Sequence, residues 1–206
     1  MIVAIDGPAG AGKGTLAKAL ADRLGLRHLD TGGLYRATAL QILRAGGDPA
    51  DPGTAERAAR GLDPALLTSP DLRRAEVGNA ASVVAAIPAV RQALLDFQRD
   101  FARTPPGAVL DGRDVGTVVL PDATVKLYVT ASTDERARRR HEELLGRGEP
   151  SIYERVHAEI EARDARDAGR AVAPMRKADD AVEIDTTDLT PEQVLARALA
   201  VIAARR

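Results

Sequence analysis

The stretch Gly7-Pro8-Ala9-Gly10-Ala11-Gly12-Lys13-Gly14-Thr15 carries residues suited to holding polyphosphate. Glycines let successive backbone N–H groups turn onto phosphate oxygens, and a following helix adds its positive dipole end. Lys13 supplies a mobile point charge for the outer phosphates. The general pattern G-x-x-x-x-G-K-[ST] sets a hydroxyl directly after the lysine. Here Gly14 intervenes and the hydroxyl of Thr15 arrives one place late, still within reach of a bound metal ion. The apolar run Ile2–Asp6 before this stretch reads as a buried strand, and Leu16-Ala17-Lys18-Ala19-Leu20-Ala21 after it reads as a helix. Strand, glycine turn and helix in this order form the context in which the motif has its mechanism.

Moving a phosphoryl group needs little covalent help. The phosphates must be fixed in line and their spread-out charge neutralised. A magnesium-organising carboxylate is therefore expected near the loop. Asp111, closing the apolar run Ala108-Val109-Leu110-Asp111, is the candidate, directly or through water, and Asp6 is a second. Arginines supply positive charge. Arg136, Arg139 and Arg140 stand at i, i+3 and i+4 of one predicted helix. Arg163, Arg166 and Arg170, with Asp167 beside them, share a predicted face on the next. The glycines and proline of Gly146-Arg147-Gly148-Glu149-Pro150 separate these helices, as a lid would require. A second loop-to-helix junction, Asp30-Thr31-Gly32-Gly33-Leu34-Tyr35-Arg36, brings together a hydroxyl, amides, a phenol and a guanidinium. It suits a second anion such as a monophosphate.

These groups need a frame. Besides Ile2–Asp6, the segments 27–30, 108–111, 125–129 and 181–185 read as buried strands. Each is followed by a loop and a helical pattern, so an α/β fold with a parallel sheet is expected. Asp6, Asp30 and Asp111 close strands at the sheet edge where such folds bind ligands. Capping boxes are predicted at Ser132/Glu135, Ser151/Glu154 and Thr190/Gln193. Val194, Leu195, Ala198, Leu199 and Ile202 stripe the last helix toward the sheet. Val90, Leu94, Phe97 and Phe101 form another apolar repeat on a helix over 89–104. Residues 46–74, rich in Pro, Gly, Asp and Arg, predict short helices and turns.

The chain has 206 residues, enough for one main domain, with 45% apolar but only 2% aromatic residues, so the core must be aliphatic. The net charge of −1 gives no electrostatic case for nucleic acid or membrane as a partner. Cysteine is absent, which excludes disulfides and thiolate chemistry. No leader is visible, and a cytoplasmic, monomeric protein is expected.

The variant G-x-x-G-x-G-K-G-T resembles the nucleoside monophosphate kinases more than GTPases or motor ATPases. Further motifs narrow the resemblance to bacterial cytidylate kinases. They are Asn79-Ala80-Ala81-Ser82, Asp111-Gly112-Arg113-Asp114, Pro121-Asp122-Ala123, Arg163-Asp164 through Asp167, and Arg170-Ala171-Val172-Ala173-Pro174. The resemblance spans nearly the whole chain. It implies a five-stranded, adenylate-kinase-like phosphate-loop fold, with ATP and Mg2+ on the donor side and CMP or dCMP as acceptor. By resemblance the core is 1–30, 105–135 and 171–206, the acceptor region 31–104, and the lid with its flanking helices 136–170.

The resemblance also distributes roles. Ser82, Arg91 and Asp114 would read cytosine, Arg91 donating to O2 and N3 and Asp114 accepting from the 4-amino group. Thr31, Arg163 and Asp167 would meet the ribose. Tyr35, Arg36, Arg113 and Arg170 would hold the acceptor phosphate, with Arg113 and Arg170 also catalytic alongside Lys13. Arg136 belongs to the ATP side, and Arg139 or Arg140 to the catalytic lid. The chain departs from many family members between Gly46 and Glu76, where a short helical insert replaces a larger strand-rich one. Two other readings remain open here: a related kinase acting on UMP, AMP or an alcohol, and a nucleotide-binding switch. Against the latter, the guanine motif N-K-x-D is absent.

Overall fold

Five short segments, most of them rich in Val, Leu, Ile and Ala, become five strands in the computed structural model, which describes residues 1–205. They are β1 (Ile2–Asp6), β2 (Arg27–Asp30), β3 (Ala108–Gly112), β4 (Val125–Thr130) and β5 (Val182–Asp185). All pair in parallel, in the order β2-β3-β1-β4-β5. β1 is central, and Val3, Ala4 and Ile5 are fully buried there, because a strand covered on both faces reads as a continuous apolar run. The chain leaves β1 toward one edge and later returns to the other. The crevice at the C-terminal end of β1 is therefore where a ligand belongs.

The helices divide between the faces. Val3, Ile5, Val109 and Leu127 pack with α1 (Lys13–Leu24) and α8 (Pro191–Ala203). Ala4 and Leu110 pack on the other face with α2 (Thr31–Arg44), α4 (Ala75–Val84) and α5 (Pro88–Arg103). α3 (Pro52–Arg60) and two 3-10 turns, Pro64–Thr68 and Pro70–Arg73, fill the predicted region of short helices. The insert is helical throughout. α6 (Thr133–Gly146) and α7 (Tyr153–Ala168) form an antiparallel pair around Ala137, Val156 and Ile160.

Local chemistry sets most boundaries. Thr190 and Gln193 make the full reciprocal capping box that opens α8. The other two predicted boxes are corrected. Ser132 accepts from the Glu135 amide, but the Glu135 carboxylate turns to Arg138 and Arg139 instead of its cap. Ser151 does not cap α7. Its hydroxyl meets His141 Nδ1 at 2.8 Å and α7 begins two residues later. On α5, Val90 and Leu94 are buried as expected, whereas Phe97 is half exposed. Among the described residues no single helix is long and apolar enough to cross a membrane.

Candidate active site

The phosphate loop is shaped by glycines where only glycine serves. Gly7 has φ 143°, and a side chain there would run into the Val129 carbonyl. Gly10 and Gly12, at φ 78° and 87°, hold the left-handed turns that bring the chain to the first turn of α1. Lys13 is buried, and its Nζ donates to the Pro8 carbonyl at 2.7 Å. Burial, and then the neighbouring Arg113, hold its ammonium well below the usual lysine range.

Beside the loop lies a cavity of about 350 Å3. It gathers Lys13, Thr15, Thr31, Tyr35, Arg36, Ser82, Arg91, Asp111, Arg113, Asp114, Arg163, Asp167 and Arg170, from seven separate stretches of chain. Every acceptor-side residue expected from sequence is in this wall. At one end Arg91 and Asp114, both buried, form an ion pair, and the Arg91 guanidinium lies 5.6 Å from the Tyr35 ring centre. Burial opposes charge on Arg91, but Tyr35 and Asp114 raise it above its ordinary value. Ser82 Oγ is buried with no protein partner.

At the other end the charges do not balance. Asp167 accepts from Arg113 Nε at 2.8 Å and also from Arg170. Burial pushes Asp167 up, yet Arg113 and Arg170 hold it below its ordinary value. Among the described residues Arg163 has no carboxylate of its own, and its Nε is buried and unpartnered. Burial, then Arg113, lower it to about 10. Arg36 pairs with Asp30, which also accepts from the Gly33 amide at 3.0 Å as the cap of α2. Burial raises Asp30, but Arg36 outweighs it and the carboxyl lies below its usual range. Three guanidiniums therefore share one carboxylate in a partly desolvated pocket, an arrangement that a phosphate dianion neutralises.

A second cavity, of about 430 Å3, lies across the loop. Gly12 and Thr15 line both cavities. Leu189, Val194 and Leu195 give the second an apolar wall, and Arg139 and Thr186 a polar edge.

The structure reassigns several residues. Each oxygen of Asp6 accepts from an amide, Val115 or Gly116, at 2.7 Å, and the residue lines neither cavity, so it is turned away from a bound metal. Arg139 bonds to Glu135 and to the hydroxyl and carbonyl of Thr186 and stays on the edge of the second cavity, on the side expected for it. Arg140 pairs with Glu143 and lines neither cavity. Arg170 lies beyond the end of α7, not on its face, and Arg166 is exposed. Arg136 does reach the loop, donating to the Ala9 carbonyl at 3.2 Å, with Asp164 as its counter-ion at 2.7 Å.

Sequence reasoning missed three supporting residues. His28 Nε2 stands 2.7 Å from Asp111 Oδ1. Asp164 holds Arg136, and the Thr186 hydroxyl bonds the Ala11 carbonyl at 3.1 Å. The signal for His28 was register: on β2 it shares a face with Asp30, next to the face of β3 that carries Asp111.

A glycine loop at the end of a central parallel strand, with a cation-rich cavity beside it, defines a phosphate-loop phosphotransferase. The family model for cytidylate kinase matches residues 3–204, and the chain belongs to that family. A cytidylate kinase from Paramagnetospirillum magneticum is 58% identical over 208 positions, covering 100% of this chain and 99% of that protein. One from Methylobacterium sp. is 61% identical over 205 positions, covering 100% and 98%. The solved structure of an uncharacterized protein from Eubacterium ventriosum aligns with TM-score 0.58 over 99% of this chain and 98% of that one. At 15% identity this last likeness concerns the fold alone. The protein is an enzyme that uses nucleotides.

Proposed function

We propose that this enzyme transfers the γ-phosphoryl group of ATP to CMP, and to dCMP, giving ADP and the pyrimidine diphosphate. The observation that carries the choice of acceptor is the buried Arg91–Asp114 pair beside the free Ser82 hydroxyl, in the same cavity as the arginine cluster. Cytosine offers a 4-amino donor to Asp114 and two acceptors to Arg91. Uracil presents a carbonyl where the amino group is needed, and a buried carboxylate left facing it is costly.

In this reading Arg36, Arg113 and Arg170 hold the acceptor phosphate, Tyr35 lies beside them, and Thr31, Arg163 and Asp167 meet the ribose. Residues 31–104 form the acceptor region and 136–170 the lid. The cavity walled by Leu189 and Val194 takes the donor base, and Gly12 and Thr15, which line both cavities, support an arrangement in which the two phosphate chains meet at the loop. An oxygen of the CMP phosphate attacks the γ-phosphorus, the bond to the β,γ-bridging oxygen breaks, and ADP leaves. The nucleophile is already an anion, so no general base is required. Lys13 and the guanidiniums of Arg113 and Arg170 neutralise charge on the transferring group.

The donor set fits magnesium as such sites use it, through one carboxylate and a hydroxyl with substrate phosphates completing the shell. Asp111, with Oδ1 tied to His28 and Oδ2 turned toward Gly14, and the exposed Thr15 would hold it. Bound there, magnesium would screen the donor phosphates. An alcohol acceptor is disfavoured, because it needs a free carboxylate base. Asp30 and Asp114 are both committed to arginines.

The test is turnover with MgATP and each monophosphate in turn. CDP formation well above UDP formation and AMP phosphorylation supports the proposal. Turnover of AMP or a polyol alone sinks it.

A further inference from the structure

Asp6 ends the central strand with its side chain only 4% exposed, on a strand otherwise made of Ile, Val and Ala. An apolar side chain would bury there at far less cost. What the carboxylate does instead is local. Its Oδ1 accepts from the Val115 amide and its Oδ2 from the Gly116 amide, each at 2.7 Å, across more than 100 residues of sequence. These amides open the π-helical turn Val115–Val119 that directly follows Asp114. Within that turn, the Val118 and Val119 amides bond back to the Asp114 carbonyl, at 2.9 and 3.2 Å. The first amides of any helical turn have no partner inside it. The Asp114 side chain does not cap them, being committed to Arg91. Asp6 caps the turn from another part of the chain.

We propose that Asp6 is a positioning residue for base recognition: it clamps the turn after Asp114, so that the carboxylate reading the acceptor base is held against Arg91 and the Ser82 wall. This rests on the reading of Asp114 given under Proposed function. Both ends of the clamp are fixed. Asp6 is paired on both sides, to Gly112 and Tyr128, and Gly7 follows in a conformation that only glycine adopts easily. Opposite it, Asp114 has φ −143° and ψ 22°, outside both helix and strand, so its orientation depends on what holds the next residues. Gly116 is closely fitted. A Cβ there would lie 3.3 Å from Asp6 Oδ2 and 3.1 Å from Lys126 Cδ. The same strand end therefore launches the phosphate loop and sets the wall that selects the base.

The experiment compares wild type with Asp6→Asn, Gly116→Ala and Asp114→Ala, measuring KM for CMP and for ATP and the CMP-to-UMP ratio of kcat/KM. Asn at position 6 keeps the shape but turns an N–H group toward one of the two amide donors. Ala at position 116 pushes on the same contact from the other side and keeps the carboxylate. Both should raise KM for CMP roughly tenfold and lower the ratio by a similar factor, with KM for ATP within about twofold. A purely structural role would move both KM values or kcat together and leave the ratio alone, which overturns the proposal. If Asp114→Ala lowers the ratio while the other two leave it unchanged, only the positioning role fails. If Asp114→Ala itself leaves the ratio unchanged, the base-reading role fails and the proposal with it. Should Asp6→Asn not fold, Gly116→Ala alone decides, by the same ratio.

Discussion

Replacing Arg91 by Met tests the base pocket at its centre. Arg91 and Asp114 are each only 8% exposed at the side chain, and the guanidinium also donates to the Ala85 carbonyl at 3.3 Å. Met keeps much of the length and apolar bulk, so packing against Tyr35 is largely retained while the charge is removed. Two effects should follow. Asp114 is left as a buried carboxylate without its cation, and breaking one side of a buried pair costs about 3–5 kcal/mol. The cytosine acceptors also lose charged donors, worth about 1.5–3 kcal/mol, or roughly 10- to 200-fold in KM for CMP. The donor site is untouched, because Arg91 does not line the cavity walled by Leu189. Denaturant unfolding reads the first effect. A double variant with Asp114→Asn should recover part of the stability loss, since no unpaired charge remains. A coupled kinase assay, titrating CMP at saturating ATP and then the reverse, reads the second. An unchanged KM for CMP, or an equal rise for ATP, would remove Arg91 from the base pocket. A double variant no more stable than Arg91→Met would refute the buried-charge argument.

Asp6 should leave a pH signature, because burial raises its carboxyl to about 6 despite the amide bonds and Asp114 adds to the rise. With an unfolded value near 3.9, its stabilising contribution is full below that value and is lost as pH rises through 6. The loss is about 3 kcal/mol from roughly two units. Stability of wild type minus that of Asp6→Asn should therefore fall between pH 4 and 7, and the Val115 and Gly116 amide resonances should titrate near pH 6; a flat difference would contradict the assignment. Arg140→Ala should leave kcat within about twofold and stability within about 0.5 kcal/mol, because the residue makes only an outer-face pair with Glu143. A hundredfold loss of kcat would restore Arg140 to the catalytic group. Ser82→Ala should cost little stability, since the hydroxyl has no protein partner to lose, yet should raise KM for CMP several-fold. An unchanged KM would mean that the hydroxyl does not face the base.

The central strands β1, β3 and β4 were legible because burial on both faces leaves a mostly apolar run, whereas the edge strands β2 and β5 carry mixed residues and were legible from their place before a loop and helix. The loop-to-helix junction at Thr31, Tyr35 and Arg36 was legible as an anion site from its residue types, but the base-reading wall was legible only through resemblance. No periodicity connects Ser82 on α4 with Asp114 beyond β3, and only the folded sheet brings them together. Among the lid arginines, Arg140 was misplaced for a physical reason. Spacing at i, i+3 and i+4 puts Arg136, Arg139 and Arg140 on neighbouring helix positions, but it does not say which finds a partner first. Arg136 bonds the loop directly, Arg139 is held by Glu135 and Thr186 at the edge of the second cavity, and Arg140 turns to Glu143 and lines neither cavity. Asp6 was misread because an aspartate at a strand end beside a phosphate loop has the same sequence whether it meets a metal or two amides.

The charge distribution explains why the phosphate loop alone did not identify the reaction. A loop with one lysine needs one set of phosphates to balance it. Here Lys13 is held below its usual range by burial and by Arg113, a residue of the acceptor cavity. Arg163, in turn, is lowered by burial and by the same Arg113. The two ends of the site therefore destabilise each other's cations before any anion is bound, and Asp167 offsets only part of this. A donor triphosphate relieves Lys13, and an acceptor phosphate relieves Arg113, Arg163 and Arg170. Two polyphosphate anions so close together repel each other, and the cations between them, Lys13 and Arg113, screen that repulsion. That screening lets both phosphate chains be present and in line, the arrangement from which transfer is possible.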